Sequence, residues 1–297
     1  MALNSKYLFR REGPWNLWVH KDKWTPGLWE EILRRLEIDV PGDRPKTEQF
    51  YYPDPEVSQQ FYLKIYHHPR PWGFVKDLFR DSQAFRALKQ GEALSESGFH
   101  VPFAVAAGEE RNYYFLRRAF LLTVGLNGLL LPYFLQNHYS LLGSVAMLKK
   151  KRRYLRELAS EIRRLHQLGF VHGDLTPFNI LIQSTGEDAV FFFMDNDRTR
   201  RYPRWLPQLF WRRNLVQLNR FLLPGISLQD RVRFLTFYLR RKTQKKGNEV
   251  RLIRWLEAKT RKRIREWDST EPTISFRRLM KWEGSFDKNS SRERISS

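Results

Sequence analysis

The sequence predicts an α+β fold, with short strands dominating the first part of the chain and helices the second. Three observations carry this. Two aromatic and β-branched runs, Gln49 to Tyr52 and Gln60 to Tyr66, flank a Pro53-Asp54-Pro55 turn. Lys149 to Leu168 places Leu155, Leu158, Ala159, Ile162 and Leu165 at helical spacing, and Gly169 stops it as a left-handed cap would. Ile180-Leu181-Ile182 and Ala189 to Met194 are apolar arms around Ser184-Thr185-Gly186, the composition of a β-hairpin. With 297 residues, 41% of them hydrophobic, the chain can bury the core of one two-lobed domain or of two small ones.

In chain order, residues 1–45 hold Trp15, Trp18, Trp24 and Trp29, with a helix start at Pro26 and Trp29 to Leu33. They read as an N-terminal extension whose rings pack on the domain; the competing reading is an interfacial anchor. Ser82 to Ser97 reads as a helix ended by Gly98 before Val101-Pro102, and Asn112 to Leu116 as a strand. Ala119 to Leu148 contains no Asp, Glu, Lys or Arg and approaches membrane-span length. Gly125, Asn127, Gly128 and Pro132 interrupt it, so it reads as a linker. The long helix starts on Lys149 to Arg153, all basic, against the helix dipole, which points to anion contact or to a solvated charge run. His166, on or beside the apolar stripe, reads as a packed, hydrogen-bonded histidine. Leu215 to Leu222 and Val232 to Leu239 are helical patterns, and the residues after Trp282 read as a disordered tail.

Lys and Arg number 53 against 32 Asp and Glu, a formal charge of +21. Such a surplus predicts an anionic partner: nucleic acid, an anionic membrane surface or a polyanionic substrate. Residues 198–213 hold six arginines (Arg198, Arg200, Arg201, Arg204, Arg212 and Arg213) and no acid; residues 239–265 hold twelve Lys or Arg against two Glu. The absence of cysteine excludes disulfides and thiolate metal sites and fits a reducing compartment. MALNSKYLFRREG has no apolar run of signal-peptide length before its basic residues, so secretion is not expected.

Between helix and hairpin stands Val171-His172-Gly173-Asp174-Leu175-Thr176-Pro177-Phe178-Asn179. His-x-Asp-x-x-x-x-Asn is the spacing of a kinase catalytic loop, in which the Asp orients and deprotonates an attacking hydroxyl and the Asn holds a metal ion. Asp195, just past the second hairpin arm, is the other metal ligand such a site needs, and magnesium takes carboxylate and amide oxygens with phosphate completing its shell. Lys64, inside an aromatic strand, matches the lysine that grips the α- and β-phosphates, against the alternative of a strand residue facing solvent. Glu92 on the 82–97 helix is the expected partner of Lys64 and Glu96 the next, each with the alternative of a solvated helix charge.

These residues resemble the lipopolysaccharide kinase family, the Kdo and core-heptose kinases. His172-Gly173-Asp174 with Asn179 matches its catalytic loop, and Asp195-Asn196-Asp197-Arg198 looks like its Asp-Phe-Asp-Arg. Gly98-Phe99-His100-Val101-Pro102 matches the end of the upper-lobe helix. Asn214 to Arg220 and Asp230 to Leu235 look like the helical segments that follow the active site. The resemblance implies a two-lobed protein-kinase-like fold with a small, mostly antiparallel β N-lobe over 46–118, a larger helical C-lobe over 119–283, the extension before them and a tail over 284–297. It implies ATP and Mg2+, with Asp174 and His172 catalytic, Lys64 and Glu92 on the nucleotide side, and Asn179, Asp195 and Asp197 on the metal. The acceptor would be a hydroxyl of the anionic lipopolysaccharide inner core, reached at the anionic leaflet on the cytoplasmic face of the inner membrane. The sequence departs from kinase patterns in lacking glycine from Pro45 to Leu63 and in placing Asn196 where kinases usually keep Phe. Two other readings stay open: an atypical protein or small-molecule kinase on the same fold, and a non-catalytic nucleotide- or nucleic-acid-binding module.

Overall fold

A six-stranded antiparallel sheet occupies the first part of the chain, in the order β1-β2-β5-β6-β4-β3. Its strands are β1 (Tyr7–Glu12), β2 (Trp15–His20), β3 (Lys46–Tyr52), β4 (Gln59–His67), β5 (Ala104–Asn112) and β6 (Phe115–Val124). The computed structural model describes residues 6–38, 45–53, 59–67, 81–112, 115–139, 144–186, 188–203, 209–221, 223, 225–239 and 246–270. Arg204, most of the Pro53-Asp54-Pro55 turn, residues 240–245 and the tail lie outside the described residues. Two units divide the chain: Met1–Gly128 with Val190–Arg200, and Leu129–Ala189 with Arg201–Ser297.

In the first unit both sheet faces are covered. Helix α1 (Pro26–Ile38) starts with Pro at its first position, where the missing N–H costs nothing. It lays Leu28, Ile32 and Leu36 at i, i+4 and i+8 on Leu17, Phe61, Leu63, Ile65, Phe120 and Leu122. Leu28, Ile32 and Leu36 are at most 1% exposed, and burial of each contributes about 2 kcal/mol. Helix α2 (Gln83–Glu96), capped by the Ser82 side chain on the Phe85 N–H, covers the other face, where Ala84, Phe85 and Leu88 meet Tyr66, Ala107 and Ala119.

Three readings of this half are corrected. Residues 1–45 are not an extension: β1 and β2 join the sheet through β5, and α1 fills its core. The tryptophans do pack, with Trp15 5.5 Å from Phe120 and 6.0 Å from Trp29, and Trp18 5.3 Å from Phe85. The expected strand at Asn112 to Leu116 straddles the junction of β5 and β6, whose ends pair Asn112 with Phe115. The uncharged stretch is no linker at its start, because residues 119–124 are the second half of β6, so the unit boundary falls after Gly128. No helix among the described residues is long and apolar enough to cross a membrane.

The second unit holds β7 (Leu129–Leu130), α3 (Leu131–Tyr139), α4 (Val145–Gln167), β8 (Phe170–Val171), β9 (Ile180–Thr185), the start of β10 (Asp188–Phe193), α5 (Leu209–Asn219), α6 (Leu228–Leu239) and α7 (Lys246–Thr270). β9 pairs with β10 on one side and β7 on the other. Helix α4 buries Tyr154, Leu158, Ala159, Ile162 and Leu165, with Leu155 half-buried at the edge of the stripe. It ends as expected at Gly169, whose φ of +86° only glycine adopts readily, and a Cβ there would stand 2.2 Å from the Tyr202 carbonyl oxygen.

The basic run at 149–153 has a different use from the one expected. Helix α4 starts four residues earlier, capped by Ser144 on the Met147 N–H, so the charges sit in its second turn. Lys151 is buried against Asp230 at 2.8 Å and the Gly225 carbonyl at 2.9 Å. Lys150 donates to the Gly186 carbonyl at 2.6 Å and Arg153 to Asp188 at 2.9 Å. Farther on, Arg201 lies 5.2 Å over the Phe170 ring and Arg212 5.7 Å over both Trp211 and Trp255.

Candidate active site

The chain brings its chemistry-bearing residues together in two groups, one in each unit. In the first unit, β4 points Phe61, Leu63 and Ile65 at α1, which leaves Lys64 and Tyr66 on the α2 face. Lys64 Nζ lies 2.5 Å from Asp195 Oδ1, with the two side chains 23% and 37% exposed.

Asp195 opens an acidic turn. Its φ of 57° makes it the one non-glycine residue with positive φ among the described residues, a conformation that costs on the order of 1 kcal/mol. The turn is held from both ends. The Phe193 N–H bonds the His100 carbonyl at 2.9 Å, and the Phe193 ring meets Phe99 at 6.0 Å. Asn196 Nδ2 donates to the Phe193 carbonyl at 2.9 Å, and the Thr199 N–H bonds the Asn196 carbonyl at 3.1 Å. Asn196, which departs from the usual Phe, is thus the internal clasp of the turn.

Asp197 is buried in the same turn. Burial raises its carboxyl above the ordinary range, the Asp195 charge raises it further, and Lys64, Arg198 and Arg86 pull it back. The Tyr66 phenol, 1% exposed, is pushed up by burial and then by Asp197 and Asp195, and its hydroxyl has no hydrogen-bond partner among the described residues. The sequence predicts an acid on α2 for Lys64, whereas the helix supplies a cation, Arg86, to the acidic turn.

Glu92 does not partner Lys64. Its carboxylate accepts from the Tyr7 hydroxyl at 2.9 Å, whose single proton is shared with the Ala104 carbonyl at 2.8 Å, and Lys6 approaches to 4.0 Å. Three strands separate β1, which carries Tyr7, from β4, which carries Lys64, so α2 spends Glu92 on the far side of the sheet.

In the second unit, β8 delivers His172, fully buried, whose N–H donates to Asn214 Oδ1 at 3.1 Å. Gly173 takes φ +73°, the turn that lets the chain double back at Asp174. The Asp174 N–H bonds the His172 carbonyl at 2.8 Å, and a single turn of 3-10 helix over Pro177–Asn179 returns the chain. Asn179 Nδ2 then donates to the Asp174 carbonyl at 2.8 Å and faces its carboxylate at 3.4 Å. Its Oδ1, the end a metal ion takes, has no hydrogen-bond partner among the described residues. Arg220 lies within electrostatic reach of Asp174: burial lowers the guanidinium's affinity for its proton and the carboxylate raises it. His166 is packed as expected, its imidazole held neutral by burial, with a pKa lowered to about 4.

In the first unit the acidic turn fits a divalent cation, since Asp195 and Asp197 hold two carboxylates whose mutual repulsion a cation would relieve. In the second unit, taken by itself, Asn179 carries an amide oxygen beside Asp174. Among the described residues no group of three or more His, Cys, Asp or Glu side chains is arranged to hold a metal ion by itself.

The architecture is that of the protein-kinase-like class. WaaP in complex with acyl carrier protein matches with a TM-score of 0.60 at 20% identity, over 83% of this chain and 98% of that one. The chain belongs to the lipopolysaccharide kinase (Kdo/WaaP) family, whose sequence profile matches residues 54–238, more than half its length. A 3-deoxy-D-manno-octulosonic acid kinase of Mannheimia succiniciproducens is 26% identical over 174 residues, which span 56% of this chain and 66%, just under two thirds, of that enzyme.

Proposed function

We propose that this protein transfers the γ-phosphoryl group of ATP to a sugar hydroxyl of the lipopolysaccharide inner core, on Kdo or a heptose. The observation that carries the reading is the catalytic loop: Asp174 is fixed through its backbone and its carboxylate by Asn179, in a chain whose family is that of lipopolysaccharide kinases.

Asp174 accepts the proton of the sugar hydroxyl and orients its oxygen for in-line attack. His172, the other catalytic candidate of the loop, is fully buried, and its backbone N–H is held by Asn214. Lys64, which pairs with Asp195, would bind the α- and β-phosphates, and the Asp195 carboxylate would then be available to a metal ion. Asp195, with Asp197 beside it in the turn, would be the first unit's ligand to Mg2+, and Asn179 would be the second unit's. When bound, the metal neutralises charge on the transferring phosphoryl oxygens. Arg220, next to Asp174, is suited to the acceptor's own carboxylate or phosphate, since a guanidinium pairs with either through two parallel bonds. The formal charge of +21 supports work at an anionic membrane surface, on the cytoplasmic face where ATP is supplied.

Radiolabelled ATP offered side by side to lipopolysaccharide core fractions and to generic protein substrates tests this. Label is expected in the core sugars, and Asp174→Asn should lower its transfer by 10²-fold or more, on the order of a lost general base. Label confined to protein, or transfer to sugar untouched by Asp174→Asn, would overturn the proposal.

A further inference from the structure

The loop segment that carries Asp174 is gripped from α5 by a chain of side-chain hydrogen bonds that the kinase reading leaves unused. Gln217 binds the backbone on both sides of Asp174. Its Nε2 donates to the Gly173 carbonyl at 2.8 Å, and its Oε1 accepts the Leu175 N–H at 3.2 Å. The same Nε2 faces Asp174 Oδ1 at 3.4 Å. Asn214, three residues earlier and on the same helix face, donates from Nδ2 to Gln217 Oε1 at 2.9 Å.

Asn214 is itself fully buried and anchored. Its Oδ1 accepts the His172 N–H at 3.1 Å and His166 Nε2 at 3.0 Å. An amide oxygen only accepts, so His166 carries its proton on Nε2. Its Nδ1 is then a lone pair, which accepts the Tyr238 hydroxyl from α6 at 2.8 Å. Burial keeps that imidazole neutral, so the order of donors and acceptors does not reverse near neutral pH. The chain therefore runs from α6 through α4 to α5 and ends on the carboxylate of the loop.

We infer that Gln217 is a positioning residue for Asp174, and that Asn214, His166 and Tyr238 fix Gln217 in the rotamer that does this. The inference rests on Asp174 being the general base. A carboxylate that swings freely loses the alignment on which in-line attack depends, and a misplacement of about 1 Å costs on the order of 10²-fold in turnover. Asn179 constrains one carboxylate oxygen and Gln217 the other. The two together leave Asp174 little freedom about its last bond.

The test uses the full chain with radiolabelled ATP and the lipopolysaccharide core fraction, in four variants: Gln217→Met, Gln217→Glu, Asp174→Asn and the Gln217→Met/Asp174→Asn double. Gln217→Met keeps the side-chain length and removes both polar ends. It should lower kcat on the order of 10²-fold while the KM for ATP stays within about twofold. In the double variant the loss should be no greater than for Asp174→Asn alone, because positioning has no value without the base. A residue that merely holds the fold would instead multiply the loss in the double or raise both KM values, and either result overturns the inference. If Gln217→Met does not fold, Gln217→Glu keeps the acceptor for Leu175 and Asn214, loses the Nε2 donor, and should show the same fall in kcat; an unchanged kcat there overturns it. An inactive Asp174→Asn beside an active Gln217→Met refutes the role of Gln217 and leaves the base intact, whereas a fully active Asp174→Asn refutes the base itself.

Discussion

Replacing Lys151 by methionine preserves the reach of the side chain and deletes its charge. Lys151 and Asp230 are 11% and 3% exposed, with 2.8 Å between Nζ and Oδ2. Removing one member of a buried ion pair costs about 3–5 kcal/mol, because the other charge stays buried. Asp230 would keep the Ser227 N–H at 3.1 Å, the Ser227 hydroxyl at 3.0 Å and Arg233 at 3.1 Å, so the lower end of that range, about 3 kcal/mol, applies. For a chain of this size that lowers Tm by roughly 6–12 °C. Urea unfolding at pH 7, followed by circular dichroism, reads it directly. Adding Asp230→Leu should recover most of the loss.

The pair also sets a pH dependence. Burial alone would raise the Asp230 carboxyl, but hydrogen bonds from Lys151 and Ser227 hold it below its ordinary value of 3.8. A depressed carboxylate stabilises the folded state above that ordinary value, and the contribution is lost as pH falls through the folded-state value. The gap between wild type and Lys151→Met should therefore close below pH 3.8. A loss under about 1 kcal/mol at pH 7 would refute the reasoning and return Lys151 to the role of a solvated charge.

Lys64→Met should raise the KM for ATP at least about tenfold while changing stability by less than about 1 kcal/mol, since its ion pair is partly solvated; an unchanged KM removes Lys64 from the phosphate site. Tyr66→Phe deletes a buried hydroxyl that has no hydrogen-bond partner among the described residues, so unfolding free energy should stay level or rise by up to about 1 kcal/mol, and a clear loss would reveal a bond to that oxygen. Gly169→Ala combines a left-handed φ of +86° with a Cβ 2.2 Å from the Tyr202 carbonyl, and should cost at least about 2 kcal/mol in chemical denaturation; a smaller cost would show that the 169–202 contact yields easily.

The parts of this protein that local chemistry dictates were legible in its sequence. The loop from His172 to Asn179, the hairpin after it and the glycine stop at 169 each depend on residues a few positions apart, and each stands where the pattern puts it. What could not be read depends on partners far along the chain. Residues 119–124 carry no alternation because Phe120 and Leu122 are buried against the α1 side while Ala119 is buried on the α2 side. A strand covered on both faces is as uninterruptedly apolar as a membrane segment. The first two strands looked like an appendage because their place beside β5 is fixed about ninety residues later, as in the pairing of Trp18 with Ala107. The charges at 150–153 seemed available because Asp230, which neutralises Lys151, is 79 positions away. Glu92 was expected beside Lys64, but the acid that meets it comes from the turn after the hairpin, 131 positions on.

That turn fixes an order of events during synthesis. The first unit is completed only by Val190–Arg200, so the ribosome must add the 129–200 stretch after the sheet is otherwise finished. At typical elongation rates this takes roughly four to fifteen seconds. For that interval Phe99, 3% exposed in the finished protein, lacks the Phe193 ring beside it, and the His100 carbonyl waits for its hydrogen bond. A fragment ending at Gly128 would therefore carry the whole six-stranded sheet and yet lack both the cover on Phe99 and the carboxylate that meets its strand lysine.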